Sequence, residues 1–261
     1  MNINKMMIIF ITGFLILGLG CLFFLPKEQI KNDKAVIKMG AGDDISGLLM
    51  NEIKSHMNGK TDQSQMMEES SFTDCCSNSA QWALNAKDIN IGFYCNHIAK
   101  YTVEHNKDVV IYAPAVMNAE VIGYKEDWSH VKKLGVTQGR EQSKAIAKSQ
   151  YPQIQSFEEI TQKGIMYCIE DGQVDGAILD ITKAAGVTEY AYQPLSNMDY
   201  ISYVLVVDKK LLFTDAFSEF VEAYNQAANE LNNKEYLAEK LKVDRPWLEQ
   251  INLKFLTLPE E

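Results

Sequence analysis

Two adjacent cysteines, Cys75 and Cys76, are the residues of this chain with the most distinctive chemistry. Five cysteines are present: Cys21, Cys75, Cys76, Cys95 and Cys168. Neighbouring side chains diverge, so a direct Cys75–Cys76 bridge would close a strained ring around one peptide bond. Two thiolates at that spacing suit three roles: capture of a soft, thiophilic metal, thiol–disulfide exchange, or separate structural disulfides. Zinc is a poor match, because there is no Cys-x-x-Cys and the nearest histidines on either side, His56 and His97, are far along the chain. The flanking Thr73, Asp74, Ser77 and Ser79 are capping residues, and Gln81-Trp82-Ala83-Leu84 reads as helical. The pair therefore falls at or just before a helix start, where backbone N–H groups and the helix dipole favour thiolates. Cys95 follows an apolar strand and is a candidate third thiol at a cleft edge, a packed strand-end residue, or a disulfide partner of one of the pair. Cys168 lies mid-helix and reads as a core cysteine.

The elements that must position these residues alternate between strand and helix. Ala35–Gly40 reads as a strand, and Ile45–Met57 carries apolar residues at helical spacing. Asn58–Ser71 reads as a loop with a weak strand. A helix over 79–87 leads to a strand over 88–94, and strands follow at 109–116, 120–124 and from Leu134. A helix over 141–150 comes next. Ser156 with Glu159 forms a capping-box pattern that predicts a helix over 157–171. Gly172 to Gly176 then turns into the strand Ala177–Asp180. The order helix, turn, Asp, short apolar strand thus occurs twice, at 83–94 and 169–180. That repeat predicts two α/β lobes, each with its own sheet. Tyr200–Val207 would return the chain to the first lobe. Thr214–Leu231 is an amphipathic helix, and Asp244-Arg245-Pro246 opens a last one.

Met6 to Leu25 runs for 20 residues without a charge, after Lys5 and before Pro26. At about 1.5 Å per residue it spans roughly 30 Å, the thickness of a bilayer core. An uncleaved membrane anchor fits best. Lipidation at Cys21 and a cleaved signal peptide are the alternatives, and all three place the rest of the chain outside the cytoplasm. The whole chain carries a formal charge of −10, and every acidic side chain lies beyond residue 26. That disfavours nucleic acid as a partner.

Ala83–Phe93, Gly164–Asp180 and Lys132–Lys144 together resemble the helix-turn-strand units and second-lobe entry strand of type II periplasmic solute-binding proteins. The resemblance implies an α/β, two-lobed periplasmic-binding-protein-like type II fold behind an N-terminal membrane segment. It divides the chain into segment 1–26, linker 27–34, lobe 1 at 35–118, lobe 2 at 119–200, and a return to lobe 1 at 201–261. It also implies an ABC transporter permease and ATPase as partners. Thr73–His97, with its vicinal cysteines, resembles more narrowly the substrate-binding subunit of the selenocysteine-assisted organometal transport system, in a Cys-Cys form. This implies a soft metal or organometal ligand held by Cys75 and Cys76. Ser77, Cys95, Gln138, Arg140 and Asp180 are further candidates for the ligand cleft. Asp180 could equally be the N-cap of the next helix, and Gln138-Gly139-Arg140 a plain helix entry. Trp82, Tyr94 and Tyr200 are candidates for an apolar wall or for core. No nucleophile–base pattern, paired-carboxylate motif or phosphate loop is present, so neither catalysis nor a cofactor is expected. The other readings that stay open are an exported thiol-redox protein and a carrier of an ordinary organic solute with structural cysteines.

Overall fold

The computed structural model describes residues 35–58, 67–72, 78–187 and 189–259. The apolar run Met6–Leu25 and the residues Cys75, Cys76 and Ser77 lie outside them. Among the described residues no helix is long and apolar enough to cross a membrane.

The fold is a mixed α/β arrangement of two sheets. The first has the order β11-β4-β10-β3-β1-β2. It is built from β1 (Ile37–Gly42), β2 (Met67–Phe72), β3 (Ile91–Cys95), β4 (Val109–Met117), β10 (Ile201–Asp208) and β11 (Lys254–Phe255). β1 pairs parallel with β2 and β3, and β10 inserts antiparallel between β3 and β4. The central strands are apolar throughout because both faces are covered: all of Ile91–Cys95 is buried. Helix α1 (Ile45–Asn58) and the long helix α7 (Asp215–Asn232) pack against this sheet. Phe217, Phe220, Val221, Tyr224 and Ala228 form the buried stripe of α7, as their spacing predicts. The Tyr224 ring stacks on Phe93 with centroids 6.3 Å apart.

The second sheet has the order β7-β6-β8-β5-β9. Its strands are β5 (Glu120–Tyr124), β6 (Lys133–Thr137), β7 (Ser156–Ile160), β8 (Gly176–Asp180) and β9 (Ala191–Pro194). The helices α4 (Glu141–Gln150), α5 (Ile165–Glu170) and α6 (Ile181–Ala185) flank it. The twofold motif is visible in the backbone. After α2 (Asn78–Ala83) the chain turns through Lys87 with φ of 62°, and after α5 through Gly172 with φ of 68°. Each turn feeds a buried strand, β3 or β8. Glycine suits the left-handed position; Lys87 accepts it against its intrinsic preference.

Two segments connect the sheets and bond to each other. β4 passes to β5 through Asn118 and Ala119, and β9 passes to β10 through residues 195–200. Asn118 adopts φ of 57°, a conformation that Asn tolerates. Its backbone N–H donates to the Tyr200 carbonyl at 3.1 Å, and its side-chain oxygen accepts from the Tyr200 N–H at 3.0 Å. Its amide group also donates to Asp199 and to the Asn252 carbonyl, each at 2.8 Å.

The helix expected over 157–171 is not formed as one element. Ser156–Ile160 is a strand that pairs parallel with β6, from Lys133↔Ser156 to Thr137↔Ile160. Glu159 reaches Lys144 at 2.6 Å instead of closing a capping box. A short tight turn over Gln162–Gly164 precedes α5, so only the last part of the predicted helix is helical. The free edge of β6 outweighs the local cap signal, a tertiary override of a propensity argument. Helices α3 (Asn96–His105) and α8 (Lys234–Leu241), and strand β9, carry no strong sequence signature and were not expected. The last helix, α9 (Arg245–Glu249), has proline in its first turn as predicted.

Candidate functional site

The strand ends of both sheets bring charged side chains into the space between them. From the first sheet come Asp43 and Asp44, which follow β1, Cys95 at the end of β3, and Tyr203 within β10. The second sheet supplies Glu120 at the start of β5, Arg140 before α4, and Asp180 at the end of β8. Asp44, Glu120 and Arg140 are 5%, 7% and 9% exposed, so three ionisable groups of this cluster are almost out of solvent.

Tyr203 is the hub. Its hydroxyl donates to Asp44 Oδ2 at 2.9 Å, accepts from an Arg140 N–H at 3.0 Å, and lies 3.4 Å from Asp180 Oδ2. The Arg140 guanidinium also lies over the Tyr203 ring, 5.4 Å from its centroid. It reaches Asp44 Oδ2 at 3.8 Å and Glu120 Oε1 at 3.7 Å. Glu120 accepts a hydrogen bond from the Ser143 hydroxyl at 2.8 Å. Asp44 caps α1 through its other oxygen, which accepts from the Ser46 N–H and hydroxyl at 2.9 and 2.5 Å. Asp180 caps α6 by accepting from the Thr182 N–H at 2.9 Å. The same oxygen accepts from the Ile45 N–H at 3.1 Å, across the cleft. Two more contacts cross it at the rim: Lys183 with Asp43 at 2.7 Å, and the Gln162 amide with the Asp43 carbonyl at 3.2 Å.

Three carboxylates therefore surround one guanidinium among the described residues. Burial raises the affinity of Glu120 for its proton, against the opposing pull of Arg140. Burial and the neighbouring Asp44 charge push Asp180 up to about 7. A proton on Asp180 fits the geometry, because the Tyr203 phenol has one hydrogen for two carboxylates.

Two small, partly open spaces flank Arg140. One, of about 10 Å³, is lined in part by Cys95, His97, Glu120, Ser143, Tyr200 and Ser202. The other, of about 20 Å³, touches Glu120, Thr137, Gln162, Asp180 and Lys183. Each has room for a water molecule or a bare ion. Gln162 Oε1 is buried and has no hydrogen-bond partner among the described residues. Flipping the amide would press that oxygen against the Asp43 carbonyl, so one acceptor stays unmet in either orientation. Among the described residues the carboxylates of the cluster outnumber its one guanidinium, and the Gln162 oxygen is one more acceptor beside them.

Of the residues singled out from sequence, Cys95, Arg140 and Asp180 meet here. Gln138 is exposed on the turn before Arg140 and lines neither space. Cys75, Cys76 and Ser77 lie outside the described residues, although both neighbouring elements are placed: β2 ends at Phe72, whose carbonyl accepts from the Asp43 N–H at 2.9 Å. Tyr200 lines the first space. Tyr94 is core, its hydroxyl bonded to the Ala80 carbonyl at 2.7 Å. Trp82 is 67% exposed and forms no wall to the cluster. Cys168, read as a core cysteine, is instead half-buried and packs against the edge of the core. Sequence reasoning singled out none of Asp44, Glu120 and Tyr203. A lone Glu inside Ala119–Tyr124, and a lone Tyr inside a buried apolar strand, were the available signals, since buried polar groups need partners.

No protein-family model matches the sequence, and no curated protein matches it. Solved structures do match. The ligand-binding component of an ABC-type import system from Staphylococcus aureus, with zinc bound, superposes with a TM-score of 0.66 at 14% identity, covering 87% of each chain. The periplasmic aliphatic sulphonate binding protein of Escherichia coli gives 0.58 at 15% identity, over 87% of this chain and 82% of that one. A nutrient binding protein from Burkholderia cenocepacia bound to methionine gives 0.55 at 16% identity, over 79% and 97%. At these identities the likeness is one of fold: the chain has the two-sheet fold of periplasmic solute-binding proteins.

Proposed function

We propose that this chain is the extracytoplasmic solute-binding subunit of an ABC transporter, that it takes a soft metal or organometal cation between its two sheets, and that it delivers it to a permease and ATPase. The observation that carries the cationic half of this reading is the cluster of Asp44, Glu120 and Asp180 around Arg140, with the Gln162 oxygen left without a donor among the described residues. A cation entering there offsets the carboxylate excess and answers that oxygen. Contacts from Asp180, Lys183 and Gln162 to the Asp43–Ile45 turn already draw the sheets together, and a bound cation adds to the same closure.

The soft half rests on the thiols. Cys95 borders the first space beside Glu120. The segment with Cys75 and Cys76 leaves from Phe72, next to the Asp43–Asp44 turn, and five residues are enough chain to bring a thiol to the cluster. Thiolates select soft cations, whereas carboxylates alone would favour hard ones. Ser77 and Gln138 remain candidate ligand contacts on the two rims. In this reading Arg140 is the resident counter-charge of the three carboxylates. The apolar run Met6–Leu25 tethers the subunit to the membrane.

Native mass spectrometry with a panel of methylmercury, phenylmercury, cadmium, zinc, calcium, an alkanesulphonate and methionine tests it. One equivalent of an organomercurial retained by the wild type, and lost in Cys75→Ser/Cys76→Ser, is the expected result. Retention of the sulphonate or methionine alone, or undiminished organomercurial binding in the double variant, would overturn the ligand assignment.

A further inference from the structure

A second set of metal-ligating side chains lies on the helical face of the first sheet, away from the cleft cluster. Glu52 and His56 are one turn apart on α1, and Glu230 faces them from α7. One donor atom from each lies within 4.8 Å of the other two. Glu52 is buried, His56 half-buried and Glu230 exposed, so the set is open to solvent on one side only. His56 Nε2 and Glu230 Oε2 are 3.0 Å apart. A cation already occupies the remaining side: the Lys240 ammonium of α8 lies 2.8 Å from Glu52 Oε2. The Tyr236 hydroxyl donates to the other Glu52 oxygen.

We propose that Glu52, His56 and Glu230 form a binding site for a borderline divalent transition cation such as zinc, in which the metal takes the place of the Lys240 ammonium. One imidazole and two carboxylates, with room left for water, form a donor set suited to zinc rather than to a soft organometal. The i, i+4 spacing on α1 points both side chains the same way, and Glu230 supplies the third ligand from a helix packed on α1. Glu230 is an acceptor, so the 3.0 Å contact has His56 Nε2 as its donor, and a metal on Nε2 sends that proton to Nδ1 or to solvent. Lys240 is 38% exposed and can swing into water when displaced. Tyr236 keeps its hydrogen bond and orients Glu52 behind the metal. The site would tie α1 to α7. The N–H of Ile45, at the start of α1, donates to Asp180 in the cleft, roughly 16 Å along the same helix at 1.5 Å per residue.

Zinc titration of the full chain, followed through the His56 imidazole resonances, tests this without interference from the cleft thiols. The expected result is a saturable shift of the His56 signals with one zinc, at least tenfold weaker binding in Glu230→Gln, and several-fold tighter binding in Lys240→Met, which removes the competing cation. The Cys75→Ser/Cys76→Ser variant should give the same His56 response, so the two sites fail or succeed separately. No His56 shift at millimolar zinc, or weaker binding in Lys240→Met in a variant whose circular dichroism matches wild type, overturns the site and leaves a salt-bridge network.

Discussion

Replacing Arg140 with Gln removes the one guanidinium from a cluster of three carboxylates. The contacts at 3.8 Å to Asp44 and 3.7 Å to Glu120 are each worth roughly 4 kcal/mol of attraction at an effective dielectric constant of about 20. Both losses are not felt in full, because a carboxylate left alone takes up a proton instead of staying charged. Breaking a buried pair from one side costs about 3–5 kcal/mol, and that is the expected loss of stability near pH 8. For a chain of this length it lowers the melting temperature by roughly 10 °C. The loss shrinks toward acid. With Arg140 gone, the folded carboxylates bind protons more tightly than in the unfolded chain, so stability falls as pH rises through that window. Urea unfolding of the wild type and Arg140→Gln near pH 5 and near pH 8 measures this. A deficit under about 1 kcal/mol near pH 8, or one that grows toward pH 5, would show that Arg140 does not carry the counter-charge of the cleft.

Other changes probe the same architecture. Asp180→Asn should flatten the pH dependence: the folded pKa of about 7 lies above the ordinary 3.8, so Asp180 lowers stability as pH rises between those values, and urea midpoints of the variant should change less across that range. Tyr203→Phe leaves Asp44 Oδ2 and an Arg140 N–H without the hydroxyl between them, and should cost about 1–3 kcal/mol in denaturant unfolding. Lys183→Met breaks only an exposed ion pair with Asp43, so stability should move by less than about 1 kcal/mol, while small-angle scattering should report a larger radius of gyration if that pair helps hold the cleft closed. Gly92→Ala would put a methyl 2.3 Å from Tyr94 Cε2, on a ring anchored through its hydroxyl to Ala80, and thermal unfolding should show a loss of about 1–3 kcal/mol.

Much of this molecule is written locally. The apolar stripe of α7, the buried runs of β3, β8 and β10, and the Pro246 helix start all follow from spacing within a few residues, because burial of one face imposes its period on the chain. The repeated helix-turn-strand unit was legible for the same reason. So was Asp180 as a cap, since the Thr182 N–H that it accepts from is two residues away. The vicinal thiols, too, are a property of the chain before it folds. The tertiary structure alone decided the rest. Ser156–Ile160 became a strand because β6 offered it an edge, a partner that no local window contains. Asp44 and Tyr203 are 159 residues apart, and Ile45 and Asp180 are 135 apart, so the cleft cluster exists only once two sheets are built and turned toward each other. The charges of Asp44, Glu120, Arg140 and Asp180 are ordinary side chains in the sequence. They become an acceptor-rich site only when water is removed from around them, and that desolvation is a property of the fold.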